Sequence, residues 1–287
     1  MKVLILGGSG MAGHMIYQYL QELQKYNVFY TTRNRDDSRG IFLDVRDFRR
    51  LKEIINGLKP EIVINAVGIL NQMAEDYPQE AIKINSLLPH VLVDYLNDIG
   101  GKLFHISTDC VFSGEVQEEV TNDMFKQGRY KETDKPNGTS MYSKTKALGE
   151  INSNEHVTIR TSIIGPEIKR DGIGLFHWFM KSENSVYGFK NVLWNGVTTL
   201  ELAKAIHVMI EKEVSGLYHL TSPEIVSKYD LLKIIQSIFD KTDIEIYPYY
   251  DIQLNRTLAQ TRSDFHYHAP PYKNMIQELF EWMTRHE

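Results

Sequence analysis

Residues 1–23 constrain this chain more than any other stretch. Val3-Leu4-Ile5-Leu6 is a continuous apolar run, the pattern of a strand buried on both faces of a parallel sheet. It enters Gly7-Gly8-Ser9-Gly10-Met11-Ala12-Gly13, after which Met15, Ile16, Tyr19, Leu20 and Leu23 recur at helical spacing. Strand, glycine turn and helix in that order leave bare backbone amides at a helix N-terminus, where they can cradle a pyrophosphate. The spacing Gly7-x-x-Gly10-x-x-Gly13 is looser than the tight glycine pattern of most dehydrogenases, and a plain strand–helix turn also carries glycines. The elements beyond residue 23 decide between these.

The alternation continues. Val28 to Thr32 reads as a second strand, followed by Arg33-Asn34-Arg35. An NAD site usually has Asp or Glu at this strand end; Thr32 and Arg33 offer a hydroxyl and a cation suited to a 2′-phosphate. The expected cofactor is therefore NADP(H), with NAD(H) as the alternative and a solvated basic turn as the plainer reading. Ile41-Phe42-Leu43 is a short third strand ending in Asp44-Val45, where Asp44 can accept from an adenine amino group, and Asp47 is placed to cap the next helix. That helix turns Leu51, Ile54, Ile55 and Leu58 inward and stops at Pro60. Glu61 to Ile64 is a fourth strand, with Asn65, Ala66, Val67 and Gly68 at its carboxyl end, where ligands of doubly wound sheets lie. A helical stretch from about Glu80 to Ile99 leads to a fifth strand, Lys102 to Ile106. The fold class is α/β: a Rossmann-type doubly wound parallel sheet with a smaller C-terminal substrate-binding lobe. The expected division is 1–164 for cofactor and 165–287 mainly for substrate, with about 195–220 returning to the first unit.

Bulk properties narrow the partners. A net charge of −5 gives no reason to expect nucleic acid or an anionic membrane. Cys110 is the only cysteine, so no intramolecular disulfide can form. No apolar run is long enough for a signal-peptide core or a membrane span, and a cytoplasmic location is expected.

The chemistry-bearing residues come after strand five. Ser107-Thr108-Asp109-Cys110-Val111-Phe112-Ser113-Gly114 places hydroxyls where a substrate carbonyl could be polarised. After a polar loop of about 115–139, long enough to suggest function, Tyr142-Ser143-Lys144-Thr145-Lys146 opens a helix. Tyr142 and Lys146 share one helix face, and a nearby ammonium favours a phenolate, so the pair can exchange protons. Taken alone, the same pair fits a solvated helix face. Val157 to Arg160 is strand six. Thr199 to Glu211 is an amphipathic helix, Gly216 to Leu220 a strand, and Ser227 caps a helix carrying Leu231, Leu232, Ile235 and Ile238. Asn255-Arg256 and Arg262 are candidates for a substrate diphosphate, or are surface ion-pair formers. His266-x-His268 lacks a third ligand nearby, so no metal is expected.

Together these residues resemble the extended short-chain dehydrogenase/reductases: the glycine turn, Asp44, Asn65-Ala66, Ser107-Thr108-Asp109, Tyr142-x-x-x-Lys146 and Arg160-Thr161 occur in that family's order. Within it, Ser107 to Gly114 and Tyr130-Lys131-Glu132 are similar to the dTDP-4-dehydrorhamnose reductase group. Nucleotide-sugar 4,6-dehydratases of this superfamily carry a second carboxylate where this chain has Cys110, which points away from dehydration. The resemblance implies an NAD(P)H-dependent oxidoreductase that reduces the C4 ketone of a nucleotide-activated 4-keto-6-deoxy sugar in deoxysugar and polysaccharide biosynthesis. Thr108, Tyr142 and Lys146 would be catalytic: Tyr142 as proton donor, Lys146 lowering its pKa and holding the nicotinamide ribose, Thr108 binding the carbonyl. Gly7, Ser9, Gly10, Met11, Ala12, Gly13, Thr32, Arg33, Asp44, Val45, Asn65, Ala66, Val67 and Gly68 would serve the cofactor, with Tyr142 and Lys146. Thr108, Asp109, Val111, Asn195 and Arg256 would serve the substrate. Ile163 stands where the reductases usually have tryptophan, and Trp194-Asn195-Gly196-Val197-Thr198-Thr199 replaces their Gly-x-Pro-Thr run, so the sugar stays open. An epimerase, a combined epimerase–reductase, or a non-catalytic regulatory subunit of the same fold are the alternatives, and a homodimer is compatible with all.

Overall fold

In the computed structural model, which describes residues 1–115, 129–169 and 172–286, the alternation becomes one parallel sheet. Its first strands are β1 (Lys2–Leu6), β2 (Asn27–Thr32), β3 (Ile41–Phe42), β4 (Ile62–Asn65), β5 (Lys102–Ile106) and β6 (Val157–Arg160). The later strand Gly216–His219 joins them, giving the order Gly216–His219, β6, β5, β4, β1, β2, β3. Every neighbouring pair is parallel.

The apolar run of β1 explains why both faces must be covered. Val3 and Ile5 point into one core, with Met15, Ile16 and Leu20 of helix Met11–Glu22 and Leu202 and Ile206 of helix Thr199–Glu211. Leu4 and Leu6 point into the other, with Leu51, Ile54 and Ile55 of helix Phe48–Leu58 and Leu88, Leu92 and Leu96 of helix Leu88–Asn97. Side chains alternate across a strand, so each face receives every second residue. Each buried Leu or Ile contributes about 1.5–3 kcal/mol relative to exposure. The order reverses between β1 and β4, and the crevice at their carboxyl ends is the topological switch point.

β2 and β3 are joined by a loop without a helix. One element differs from the sequence expectations. The stretch expected to be one helix from Glu80 to Ile99 is instead Pro78–Ala81, a wide π-type turn Ile82–Leu87, and Leu88–Asn97. The wide turn directs Asn85 and Ser86 inward, both buried, toward the helix that carries Tyr142.

Beyond β6 the smaller lobe contains helix Leu175–Lys181, a parallel pair of Asn184–Phe189 with Ile244–Tyr249, and Val192–Trp194 flanked by Val226–Ser227 and Leu254–Asn255. Helix Tyr272–Arg285, which the sequence expectations do not include, buries Tyr272, Met275, Ile276, Leu279 and Trp282. Most of the long polar loop expected at about 115–139 lies outside the described residues.

Candidate active site

Strand β5 delivers the Ser107–Cys110 segment to the carboxyl edge of the sheet. Ser107 N donates to Ile159 O at 2.7 Å and Asp109 N to Thr161 O at 3.2 Å, continuing the parallel ladder past the strand ends. The Thr108 hydroxyl then caps the single turn Asp109–Val111, accepting from Cys110 N at 3.1 Å.

Helix Met141–Leu148 faces this turn. Ser140 caps it, accepting from Ser143 N at 3.1 Å. Asn85, Ser86 and Glu150 fix its position. Asn85 Nδ2 donates to Thr145 Oγ1 at 3.1 Å and Ser86 Oγ to Thr145 O at 2.9 Å. Glu150, just past the helix, makes a buried two-point ion pair with Arg160 of β6, both at 2.8 Å, and accepts from Ser107 Oγ at 2.7 Å. Gly149 is required here because a Cβ would lie 1.9 Å from Asn85 O.

Tyr142 is half-buried, with its phenol facing Thr108. Burial raises its phenol above the ordinary value, Cys110 and Asp109 add to this, and the Thr108 hydroxyl only partly opposes it. The expectation that Lys146 depresses this phenol is therefore corrected. The Lys146 ammonium is turned to the backbone, donating to Ile106 O at 2.7 Å, with His105 Nε2 at 3.5 Å. Burial brings Lys146 itself down to about 8, against the pull of Glu150. Desolvation of the phenol, rather than a neighbouring cation, dominates at Tyr142.

The crevice between β1 and β4 is lined by Gly7, Ser9, Gly10, Thr32, Arg33, Asp44, Val45, Ala66, Val67 and Gly68. Gly7 has φ +84°, and a Cβ on Gly13 would stand 2.1 Å from Gly7 O, so the helix can approach the turn only through glycine. That glycine-only cradle fits a dinucleotide pyrophosphate. Four expected cofactor residues stand behind the lining. Ala12 and Gly13 are packing positions, Met11 begins the helix beside Gly174, and Asn65 is fully buried. The Thr32 hydroxyl accepts from Asn34 N at 3.1 Å, and Arg46 holds the Asp44 carboxylate below its usual range through hydrogen bonds of 2.9 and 3.0 Å. Lys169, from the smaller lobe, also lines the crevice; no sequence signal marks it.

Arg256 sits beside the Asp109–Val111 turn: Nε donates to Ser113 O at 3.3 Å and an Nη to Cys110 Sγ at 3.4 Å. Burial pushes the carboxyl of Asp109 up, and Lys228 and then Arg256 pull it back. In sequence, Lys228 is only the start of a helix. Its ammonium lies 4.6 Å from the Trp194 ring centre and is brought down to about 8 by burial, against Asp109 and Cys110. Burial pushes the Cys110 thiol up to about 12, so at neutral pH it is neither nucleophile nor base.

Two expected substrate contacts, Val111 and Asn195, are corrected, and Arg262 takes its ion-pair alternative. Val111 is fully buried against Phe112 and Leu258, where it anchors the turn. Asn195 is buried and its amide is used on the backbone of Leu258, donating to O at 2.8 Å and accepting from N at 3.0 Å. Arg262 pairs with Asp264 and lies over the Tyr218 ring at 4.2 Å. Asn255 accepts from Thr257 Oγ1 at 2.7 Å. Tyr130 and Glu132 tie the loop to the C-terminal segment: Tyr130 N donates to Thr257 O at 3.0 Å and Glu132 accepts from Thr261 N at 3.0 Å. Trp194 donates to Ser162 Oγ at 2.7 Å and is buried against Tyr272. Among the described residues no group of three or more His, Cys, Asp or Glu side chains could hold a metal, and no helix is long and apolar enough to cross a membrane.

Comparison with known proteins agrees with this geometry. The chain is 25% identical over 240 residues to dTDP-4-dehydrorhamnose reductase of Aggregatibacter actinomycetemcomitans, covering 80% of this chain and 76% of that one. It is 21% identical over 278 residues to methionine adenosyltransferase 2 subunit beta of Xenopus tropicalis, covering 89% and 77%. The crystal structure of dTDP-4-dehydrorhamnose reductase from Bacillus anthracis in complex with NADP shares the fold, with TM-score 0.82, 19% identity and coverage of 98% and 99%. Residues 1–280 match the family described as RmlD substrate binding domain. The chain belongs to that family, and with it to the extended short-chain dehydrogenase/reductases.

Proposed function

We propose that this protein is an NADPH-dependent oxidoreductase that reduces the C4 ketone of a nucleotide-activated 4-keto-6-deoxy sugar. The observation that carries the reading is the meeting of Thr108 and Tyr142 beside a glycine-lined crevice, with an inert thiol at Cys110. NADPH, when bound, supplies the hydride. Arg33 and Lys169 at the crevice are the cations for its 2′-phosphate and pyrophosphate, and Lys146 holds the nicotinamide ribose. Thr108 donates a hydrogen bond to the sugar carbonyl. Tyr142 gives the phenolic proton to the oxygen as it becomes an alkoxide, and its raised pKa keeps that proton in place until then. Arg256 and Lys228 face the anionic part of the substrate. Dehydration is disfavoured, because it needs a base where Cys110 keeps its proton.

In the proposed division of labour, residues 1–164 bind cofactor and 165–287 mainly the sugar nucleotide, with about 195–220 returning to the first unit. The product would feed deoxysugar and surface-polysaccharide assembly in the cytoplasm.

The test is NADPH consumption with dTDP-, UDP-, GDP- and CDP-linked 4-keto-6-deoxy sugars, the product being identified by NMR. Turnover with at least one is expected. Tight NADPH binding without turnover of any would sink the reductase reading. It would favour a second one, a non-catalytic subunit, which the similarity to methionine adenosyltransferase 2 subunit beta supports.

A further inference from the structure

Behind the site lies a buried polar chain that the proposed mechanism does not use. The register of the parallel sheet sets Asn65 of β4 directly beside His105 of β5. Both side chains are fully buried, and Lys146 is nearly so. Val67 N donates to Asn65 Oδ1 at 3.2 Å, which identifies the other end of that amide as the NH₂ group. That NH₂ lies 3.2 Å from His105 Nδ1, so Nδ1 must present a lone pair. A neutral imidazole then carries its proton on Nε2, and Nε2 is 3.5 Å from Lys146 Nζ. An N–H directed at an ammonium is repulsive, whereas directed at an amine it meets a lone pair.

We infer that His105, locked in its Nε2–H tautomer by Asn65, is a positioning residue that favours the neutral amine of Lys146. The inference rests on the proposed role of Lys146 in the reductase site. The groups facing this pair are few. Glu150 faces Lys146 and favours the ammonium, but is itself committed to Arg160. His90, from helix Leu88–Asn97, faces His105 together with Lys146, and both disfavour an imidazolium. Burial acts on His105 and Lys146 in the same direction, and His105 stays neutral. The chain also reaches the cofactor crevice, because Val67 lines it. A lysine set in this way releases and regains a proton near neutral pH, which restoring the Tyr142 proton after each turnover requires.

The full chain labelled with ¹⁵N-histidine and ¹³Cε-lysine tests this by NMR, the Lys146 signal being identified by its loss in Lys146→Met. In the wild-type protein His105 is expected to be neutral with its proton on Nε2 from about pH 6 to 9. In His105→Gln the new carbonyl can accept from an ammonium, so the Lys146 titration should move up by about one pH unit or more, tenfold in proton affinity. A proton on Nδ1 in the wild type, or an unmoved Lys146 titration in folded His105→Gln, overturns the inference. If His105→Gln does not fold, the wild-type tautomer decides alone. Neither readout needs a substrate, so failure of the reductase assay leaves them interpretable.

Discussion

The role proposed for Tyr142 depends on its surroundings. Burial and the neighbouring Cys110 and Asp109 keep the phenol protonated, as a proton donor needs. Tyr142→Phe removes the proton without changing the ring, so NADPH affinity should stay constant while kcat falls by about 10²- to 10⁴-fold. Fluorescence titration and steady-state kinetics check both halves; undiminished kcat would remove Tyr142 from the mechanism. The sign of the pH effect comes from Lys146. Its folded pKa, about 8, lies below the ordinary lysine value, so the ammonium proposed to hold the ribose is present below pH 8 and lost above it. Because Tyr142 titrates above its ordinary value, kcat/KM should fall on the alkaline side near pH 8, with no earlier break from the phenol. A flat profile through that range contradicts the assignment. Arg33 is exposed at the crevice, and Arg33→Ala should weaken NADPH by about 10- to 100-fold while leaving NADH nearly unchanged. Equal losses would rule out the 2′-phosphate contact.

At the scale of elements, the helix that carries Tyr142 and Lys146 is only Met141–Leu148, too short to hold its own position. It is held from outside, by Asn85 and Ser86 of the wide turn and by the Glu150–Arg160 pair. Removing one partner of a buried pair leaves a charge without compensation. Glu150→Ala should therefore cost about 3–5 kcal/mol in urea unfolding, and activity should fall with it. A loss below about 1 kcal/mol would mean that the pair behaves like a surface bridge. Strands and long amphipathic helices are legible in the sequence, since Val157 to Arg160 and Thr199 to Glu211 announce themselves by periodicity. The wide turn is not legible, because Ile82–Leu87 has ordinary helical composition and its geometry answers to the helix it packs on. Helix Tyr272–Arg285 carries a legible pattern, with buried residues at i, i+3, i+4 and i+7, although the sequence expectations leave it out.

At the scale of the molecule, segments far apart in the chain are joined by backbone clamps that look like ligand contacts in sequence. Asn195 is the example: its amide closes a two-bond ring with the Leu258 backbone, beside the Tyr130–Leu258 bridge. Asn195→Ala should lower stability by about 1–3 kcal/mol through unpaired buried backbone groups. Urea unfolding measures it, and an unchanged midpoint together with a raised KM would restore Asn195 as a substrate contact. The sequence by itself determined the fold class and the glycine turn and singled out Thr108, Tyr142 and Lys146 as candidates, because each depends on local spacing or on the alternation of buried strands. Only the tertiary structure decided what lies across from these groups. Lys228 and Arg256 meet Asp109, His105 meets Lys146 from beneath, and Asn195, Val111 and Arg262 turn to the protein itself. Hydrogen bonds and desolvation act over a few ångströms in space, and pairs so far apart along the chain become neighbours only once the sheet has set their register.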